Sequence, residues 1–170
     1  MSQPAPAQSY DSPSAMPAVA EAPPLVTRFG ALAQDPERII VFPHGLLGFA
    51  GQHRYLLADI PGADAAFKLL QSADDPKLSF VVLPLDANDG PIAGPDLVAA
   101  RRALAMEDAA LAVLAIVTLR PAAERVDFTV NLRAPVLVDT GRRVGYQHVL
   151  PDDAYPLRHP LPRTDACHAG

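Results

Sequence analysis

The chain has 170 residues, of which 19 are acidic and 14 are Lys or Arg, so its net charge is −5. Apolar residues make up 49% of the sequence, which is enough for the packed core of one domain of this length. The acidic balance argues against a sequence-independent nucleic-acid binder, because that class needs Lys and Arg to displace counterions. The single cysteine, Cys167, excludes an internal disulfide and a zinc site built on cysteines.

The two ends of the chain differ in composition from its middle. Residues 1–24 are mostly Ala, Pro, Ser and Gln, and we expect a disordered extension because too little bulky apolar surface is present to offset the entropy of ordering. Residues 162–170 are predicted to form a flexible tail, which leaves residues 25–161 as the folded unit. No signal-peptide pattern is visible, and the apolar run at 109–119 is too short to span a bilayer, so the expected compartment is the cytoplasm.

Short strand-like segments alternate with clusters of Gly, Pro and Asp along the middle of the chain. The clearest is Val126–Arg133, whose even positions are apolar and whose odd positions are polar, as in a half-buried strand. At Leu111–Val117 the alanines favour a helix while Ile116 and Val117 favour a buried strand, and a strand is predicted. The other predicted strands are Leu25–Phe29, Arg38–Phe42, Tyr55–Leu57, Ala66–Leu70, Ser79–Leu83, Val136–Val138 and Val144–Leu150. This spacing predicts a mainly β fold, a small barrel-like antiparallel domain.

One short helix is predicted, from Pro95 to about Ala105. Pro suits the first position of a helix, and the carboxylate of Asp96 complements the positive N-terminal dipole. A tight turn is predicted at Asp139–Arg142, with Gly141 supplying a positive φ.

The search for catalytic chemistry gives little. No two of the five histidines have a spacing that aims paired ligands at one metal. The adjacent carboxylates Asp74 and Asp75 lie beside a proline, which is typical of a solvated loop. The Gly45–Gly48 segment lacks the Lys-Ser/Thr that follows a phosphate-binding loop. The sequence therefore predicts a protein that is not an enzyme and uses no metal or cofactor.

Negative charge is concentrated between Asp59 and Asp96. This stretch contains seven aspartates and two lysines, Lys68 and Lys77. It is either a solvated face or a patch that steers a basic partner, and composition leaves both open.

Six segments, in order along the chain, resemble the flagellar assembly factor FliW family of bacteria. They are Thr27–Gly30, Phe42–Phe49, Leu70–Pro76 with Leu78 and Phe80, Leu114–Thr118, Thr129–Val136 and Tyr155–Leu161. The resemblance implies a cytoplasmic, non-enzymatic protein with a mostly β, barrel-like fold. It also implies two protein partners: flagellin before its export, and the translational repressor CsrA. Sequestering CsrA frees flagellin messenger RNA for translation, and flagellin that accumulates releases the repressor again.

Two groups of residues are candidates for partner binding. Leu46, Leu47 and Phe49 form the rim of a groove for flagellin, or they fill the end of the barrel. Asp74 and Asp75 meet a basic surface of CsrA, or they shape their own turn. Direct binding of nucleic acid or membrane is not expected. An alternative function is a small barrel that binds RNA through aromatic side chains, or a general protein-interaction module.

Overall fold

The computed structural model describes residues 22–122, 125–151 and 153–161 of the chain. The tail predicted at 162–170 lies outside these ranges, as does most of the extension predicted at 1–24. Residues 22–24, which are described, are exposed and have no regular structure.

Within these ranges the structure has eleven strands and one α-helix. The strands are β1 (Leu25–Thr27), β2 (Gly30–Leu32), β3 (Ile39–Val41), β4 (Arg54–Asp59), β5 (Lys68–Ser72), β6 (Ser79–Leu85), β7 (Leu111–Ala122), β8 (Arg125–Val130), β9 (Val136–Asp139), β10 (Val144–Gln147) and β11 (His159–Pro160). Helix α1 spans Gly94–Ala103, and a 3₁₀ turn at Pro36–Arg38 precedes β3. Every predicted strand is found, while the short strands β2 and β11 were not predicted.

Seven strands close into a barrel, which confirms the predicted fold class. They follow the order β7-β6-β5-β4-β3-β10-β9, and β9 pairs again with the first half of β7. The outer half of β7 carries β8, and β8 carries β11, so these two strands extend the sheet beyond the barrel. One pairing departs from the antiparallel prediction: β10 runs parallel to β3, through the single register pair Val144 and Val41.

The strands divide the apolar side chains between two cores, as their alternation requires. The barrel interior contains Ile40, Phe42, Leu46, Tyr55, Leu70, Val82, Leu114, Val136 and Val138. On the outer face of the barrel, Leu97 and Ala100 of α1 belong to a second core with Val113, Ala115 and Val117 of β7. The strand predicted at Leu111–Val117 is therefore correct, and it is buried on both faces because each face belongs to a different core.

The alternation in β8 is confirmed over most of its length. Phe128 and Val130 both belong to the outer core, and the ring of Phe128 stacks on that of Phe67 with centroids 5.7 Å apart. Val126 continues the same face but is 46% exposed. The strand ends at Val130, before the predicted Arg133, because Asn131 accepts the N–H of Ala134 through its side chain and turns the chain.

The prediction for the β9–β10 turn was wrong in its detail. Gly141 has no positive φ, and Arg143 instead takes φ of 56°. Asp139 explains the difference, because its Oδ1 accepts the N–H groups of both Gly141 and Arg142 and builds the turn with ordinary backbone there. Arg143 is held further along, where its carbonyl accepts the N–H of Val41 at 2.8 Å.

Helix α1 begins at Gly94, one residue before the predicted start at Pro95. It ends at Ala103, two residues before the predicted end near Ala105. Its N-terminal turn is attached to the later part of the chain through Tyr155, whose hydroxyl donates to Asp96 at 2.5 Å and accepts the N–H of Ala93 at 3.0 Å. At the other end, the guanidinium of Arg101 donates to the carbonyls of Met106, Glu107 and Ala109. These bonds fix the helix against the outer face of the barrel.

Candidate partner-binding site

The segment that joins β3 to β4, residues 42–53, forms a series of tight turns that we call the bend. The N–H of Gly45 donates to the carbonyl of Phe42 at 3.0 Å, and the N–H of Phe49 donates to that of Leu46 at 2.7 Å. Gly45 has φ of +65°, and a Cβ at this position would lie 2.4 Å from the carbonyl oxygen of Phe49. Only glycine fits here, so Gly45 is required by the geometry of the turn.

The three apolar side chains of the bend have different environments. Leu46 is 2% exposed and its side chain belongs to the barrel core, which agrees with the second interpretation of this residue, that it fills the end of the barrel. The turns direct this side chain inward, where it closes the barrel end. Leu47 is 57% exposed and Phe49 is 39% exposed, and the ring of Phe49 meets that of Phe80 edge-on at 5.2 Å. The large exposed apolar side chains of the bend are therefore Leu47 and Phe49.

A groove of about 240 Å³ runs beside the bend. Besides residues 44–48 and Ala50, it is lined by Leu104, Tyr146 and Gln147. Gln147 fixes the position of the bend, because its Oε1 accepts the N–H of Leu47 at 2.9 Å while its Nε2 donates to the carbonyl of Ala134. This role of Gln147 could not be predicted from the sequence, since no motif marks a strand glutamine that holds a loop distant in sequence.

The loop between β5 and β6, residues 73–78, contains Asp74 and Asp75. The hydroxyl of Ser72 accepts the N–H groups of both residues, at 3.1 and 2.9 Å. Asp75 accepts the N–H of Lys77 at 2.9 Å. The buried amide of Gln71 supports this acidic loop from below, where its Nε2 donates to the carbonyl of Leu78 at 2.8 Å.

Asp74 connects the acidic loop to the bend. Its Oδ2 accepts the N–H groups of His53 and Arg54 at 3.0 Å each, and its Oδ1 is 2.7 Å from both Nε and Nη2 of Arg54. Partial burial raises the pKa of Asp74, but the hydrogen bonds from Arg54 and His53 outweigh burial and hold the pKa below its usual value. Burial and the nearby Asp74 carboxylate also raise the pKa of Tyr55 to about 12.

The two predicted binding areas thus lie at the same end of the barrel. The bend and the acidic loop touch where Asp74 meets His53, and where Phe49 meets Phe80 at the start of β6. The carboxylate of Asp74 is committed to the bend, where it accepts the N–H groups of His53 and Arg54, and its described bonds do not shape the turn of its own loop. Asp75 is half-buried, and its carboxylate makes one described backbone bond, to Lys77.

The acidic stretch from Asp59 to Asp96 is not one patch. Strands β4 and β5 pair along their length, from Tyr55 opposite Ser72 at one end to Asp59 opposite Lys68 at the other. This paired stretch is about 13 Å long, and it separates Asp59 from the loop that contains Asp74. Asp59, Asp64 and Asp86 belong to the opposite barrel end, where Asp59 pairs with Lys68 at 2.6 Å. The hydrogen bond and charge of Lys68 lower the pKa of Asp59.

Other site types are not formed by the residues that the structure describes. They contain no group of three or more His, Cys, Asp or Glu side chains arranged to hold a metal ion. No helix among them is long and apolar enough to cross a membrane.

Three comparisons place this barrel among known proteins. The family model described as FliW protein matches residues 25–161. The flagellar assembly factor FliW of Geotalea uraniireducens is 36% identical over 79% of this chain and 81% of its own length. That of Caldanaerobacter subterraneus is 30% identical over 78% of this chain and 88% of its own. A crystal structure of the flagellar assembly factor FliW has a TM-score of 0.63 at 24% identity, over 82% of this chain and 97% of that one.

The molecule is thus a closed seven-stranded barrel whose bend and acidic loop form a continuous surface at one end. The chain belongs to the FliW family, as the six segments in the sequence predicted. Its curated relatives are named assembly factors and not enzymes.

Proposed function

We propose that this protein is a flagellar assembly factor that acts in the cytoplasm, binds flagellin and sequesters the translational repressor CsrA. Membership of the FliW family supports the assembly role. The single structural observation that favours a binding function is the exposed apolar pair Leu47 and Phe49, presented on a bend whose own backbone is fixed by hydrogen bonds. A surface that is already ordered loses little entropy on binding.

Flagellin is assigned to the bend and the groove beside it. The groove is apolar along Leu104 and polar at Gln147, so it fits an amphipathic segment that buries an apolar face. Leu47→Asp places a charge in this contact and is expected to weaken flagellin binding at least tenfold without changing the melting temperature.

Val26→Asp is the matched control for that variant. Val26 is 75% exposed and lies in the β1–β2 hairpin, outside the lining of the groove. Calorimetric titration with purified flagellin should give wild-type affinity for this variant. Equal affinity of Leu47→Asp and wild type would contradict the assignment of flagellin to the bend.

CsrA is assigned to the acidic loop, through Asp75 and the exposed edge of Asp74. Because Asp74 holds the bend, the variant that separates binding from folding is Asp75→Lys. Its control is Asp64→Lys, since Asp64 accepts the N–H of Ala66 in the same kind of turn but at the opposite barrel end.

Asp75→Lys is expected to lower the affinity for CsrA and to make that affinity less sensitive to added salt. Asp64→Lys should change neither quantity. Flagellin binding should be unaffected by either change. If the two variants bind CsrA alike, the acidic loop is not its contact. A parallel titration with flagellin messenger RNA should show no binding, and saturable binding of that RNA would favour the alternative of an RNA-binding barrel.

A further inference from the structure

A second cavity opens at the barrel end opposite the bend. It has a volume of about 300 Å³ and lies between the 3₁₀ turn, β3, β4, β7 and the β9–β10 turn. Its floor consists of Ile40, Leu114 and Val138, which are buried side chains of the barrel interior. Phe42 and Tyr55 fill the interior towards the bend, so this cavity is the part of the barrel that its own side chains leave open.

The rim of this mouth pocket is charged, although its floor is apolar. Arg38 and Arg143 both line it, and Glu37 is the one carboxylate among its lining residues. Glu37 is already paired with Arg143, whose Nη1 lies 2.6 Å from the carboxylate and 2.7 Å from the Glu37 carbonyl.

The guanidinium of Arg38 has unused hydrogen-bond donors at this rim. Within the described ranges, its guanidinium makes one hydrogen bond, to the carbonyl of Leu57 at 3.4 Å, which is long for an N–H donor. Asp59, whose pKa is lowered by Lys68 and also by the charge of Arg38, is near this guanidinium, but it is paired with Lys68 and is not a lining residue. Among the lining residues, positive charges outnumber negative charges by one, above an apolar floor.

We propose that the mouth pocket binds a small amphipathic anion, an apolar chain or ring that ends in one carboxylate or similar acidic group. The apolar part would lie on Ile40, Leu114 and Val138, and the anionic group would accept hydrogen bonds from Arg38 at the rim. A volume of about 300 Å³ equals that of about ten waters in the liquid, which suits a ligand of roughly that many non-hydrogen atoms. This site is separate from the proposed partner surface and does not depend on it.

Decanoate is a suitable probe, and decanol is its matched neutral counterpart. Each is titrated into the full chain labelled with ¹³C at the methyl groups of Ile, Leu and Val. Decanoate should shift the methyl signals of Ile40, Leu114 and Val138 in a saturable manner. Decanol should bind about tenfold more weakly, because it gains no charge-assisted hydrogen bond. No saturable shift at millimolar decanoate, shifts at other methyls only, or equal binding of decanol would overturn the proposal.

Two variants test the two halves of the site. Arg38→Gln should weaken decanoate binding about tenfold and leave decanol binding unchanged, whereas the control Arg142→Gln, in the neighbouring turn but outside the pocket lining, should change neither. Ala112→Leu narrows the pocket wall and should weaken both ligands. Equal losses in Arg38→Gln and Arg142→Gln would overturn the proposal, and so would unchanged binding in a folded Ala112→Leu protein. If Ala112→Leu does not fold, the two arginine variants decide.

Discussion

The carboxylate of Asp74 connects two loops that are about twenty residues apart in the chain. It accepts two backbone N–H groups from the start of β4 and forms a two-point ion pair with Arg54. A surface aspartate with this many partners stabilises the fold more than a screened surface ion pair would.

Asp74→Ala should therefore lower the free energy of unfolding by about 1–3 kcal/mol, because two N–H groups lose their acceptor. Asp75→Ala removes one described backbone bond, to Lys77, and should cost about 0.5–1.5 kcal/mol. Urea denaturation measures both. Equal costs would mean that Asp74 does not hold the bend.

The pH dependence of the Asp74 effect follows from its lowered pKa. The unfolded chain, with a pKa of 3.8 at this group, binds the proton more readily than the folded one does. The stability from Asp74 is thus fully present above that value and is lost as pH falls through the lower pKa of the folded state. The difference in unfolding free energy between wild type and Asp74→Ala should be constant near neutrality and shrink in acid. A difference that grows in acid would contradict this sign.

Two of the glycines in the bend allow a paired test of local geometry. Gly45 and Gly48 both have a positive φ, but a Cβ would clash only at Gly45, since nothing lies within 4 Å of one at Gly48. Gly48→Ala should cost about 1–2 kcal/mol from backbone strain alone. Gly45→Ala should cost clearly more, since the Phe49 carbonyl must also move. Thermal unfolding of the two variants measures the difference, and equal melting temperatures would exclude the clash.

Strand β8 extends from the buried core into solvent within five residues. Val130 is buried, Phe128 is half-buried against Phe67, and Val126 is exposed. The energetic importance of this apolar face should fall in the same order along the strand.

Phe128→Ala should lower the free energy of unfolding by an amount near the lower end of the range of about 3–5 kcal/mol, because part of the ring is already in water. Val126→Ala is the control on the same face and should change stability by less than about 0.5 kcal/mol. Chemical denaturation compares the two. A larger loss at Val126 than at Phe128 would mean that the strand packs in another register.

The barrel as a whole closes through two unequal junctions. Strand β9 pairs with β7 over four register pairs, whereas β10 pairs with β3 over one, Val144 with Val41. Gly145 lies beside this second junction, and a Cβ there would come within 2.5 Å of the buried Phe42 ring, so the strands can approach only with glycine.

The barrel should open first at the junction of β3 and β10. In native-state hydrogen exchange, the amide of Val41, which donates to Arg143, should exchange faster than the amides that β6 and β7 share. The same order of exchange rates is expected at low concentrations of denaturant. Uniform protection around the barrel would show that the short parallel pairing is no weaker than the rest.

Much of this architecture could be predicted from the sequence, because alternation is a local property. The period of two at Val126–Leu132 gave the buried face of β8, and branched residues at Ile116 and Val117 correctly favoured a strand in β7. A barrel-like fold was predicted, but the strand pair that closes it could not be, because the pairing of β10 with β3 joins positions about a hundred residues apart and depends on one register pair.

The surroundings of the candidate site residues could be predicted only in part, for one physical reason. Leu46 and Leu47 are identical residues side by side, and only the turn geometry directs one inward and one outward. Likewise, the aspartates between 59 and 96 are close in sequence, but the antiparallel strands carry them to opposite barrel ends.

The burial pattern of the bend has a consequence for how this surface can evolve. Gly45 and Leu46 are constrained by the fold, one by φ and steric contact and the other by the barrel core. Leu47 is exposed beside them, and its backbone N–H, not its side chain, makes the bond to Gln147. A substitution at Leu47 can therefore alter the binding surface while the barrel is kept intact. During evolution, substitutions at this one position can adjust the contact surface to changes in a partner while the fold is preserved.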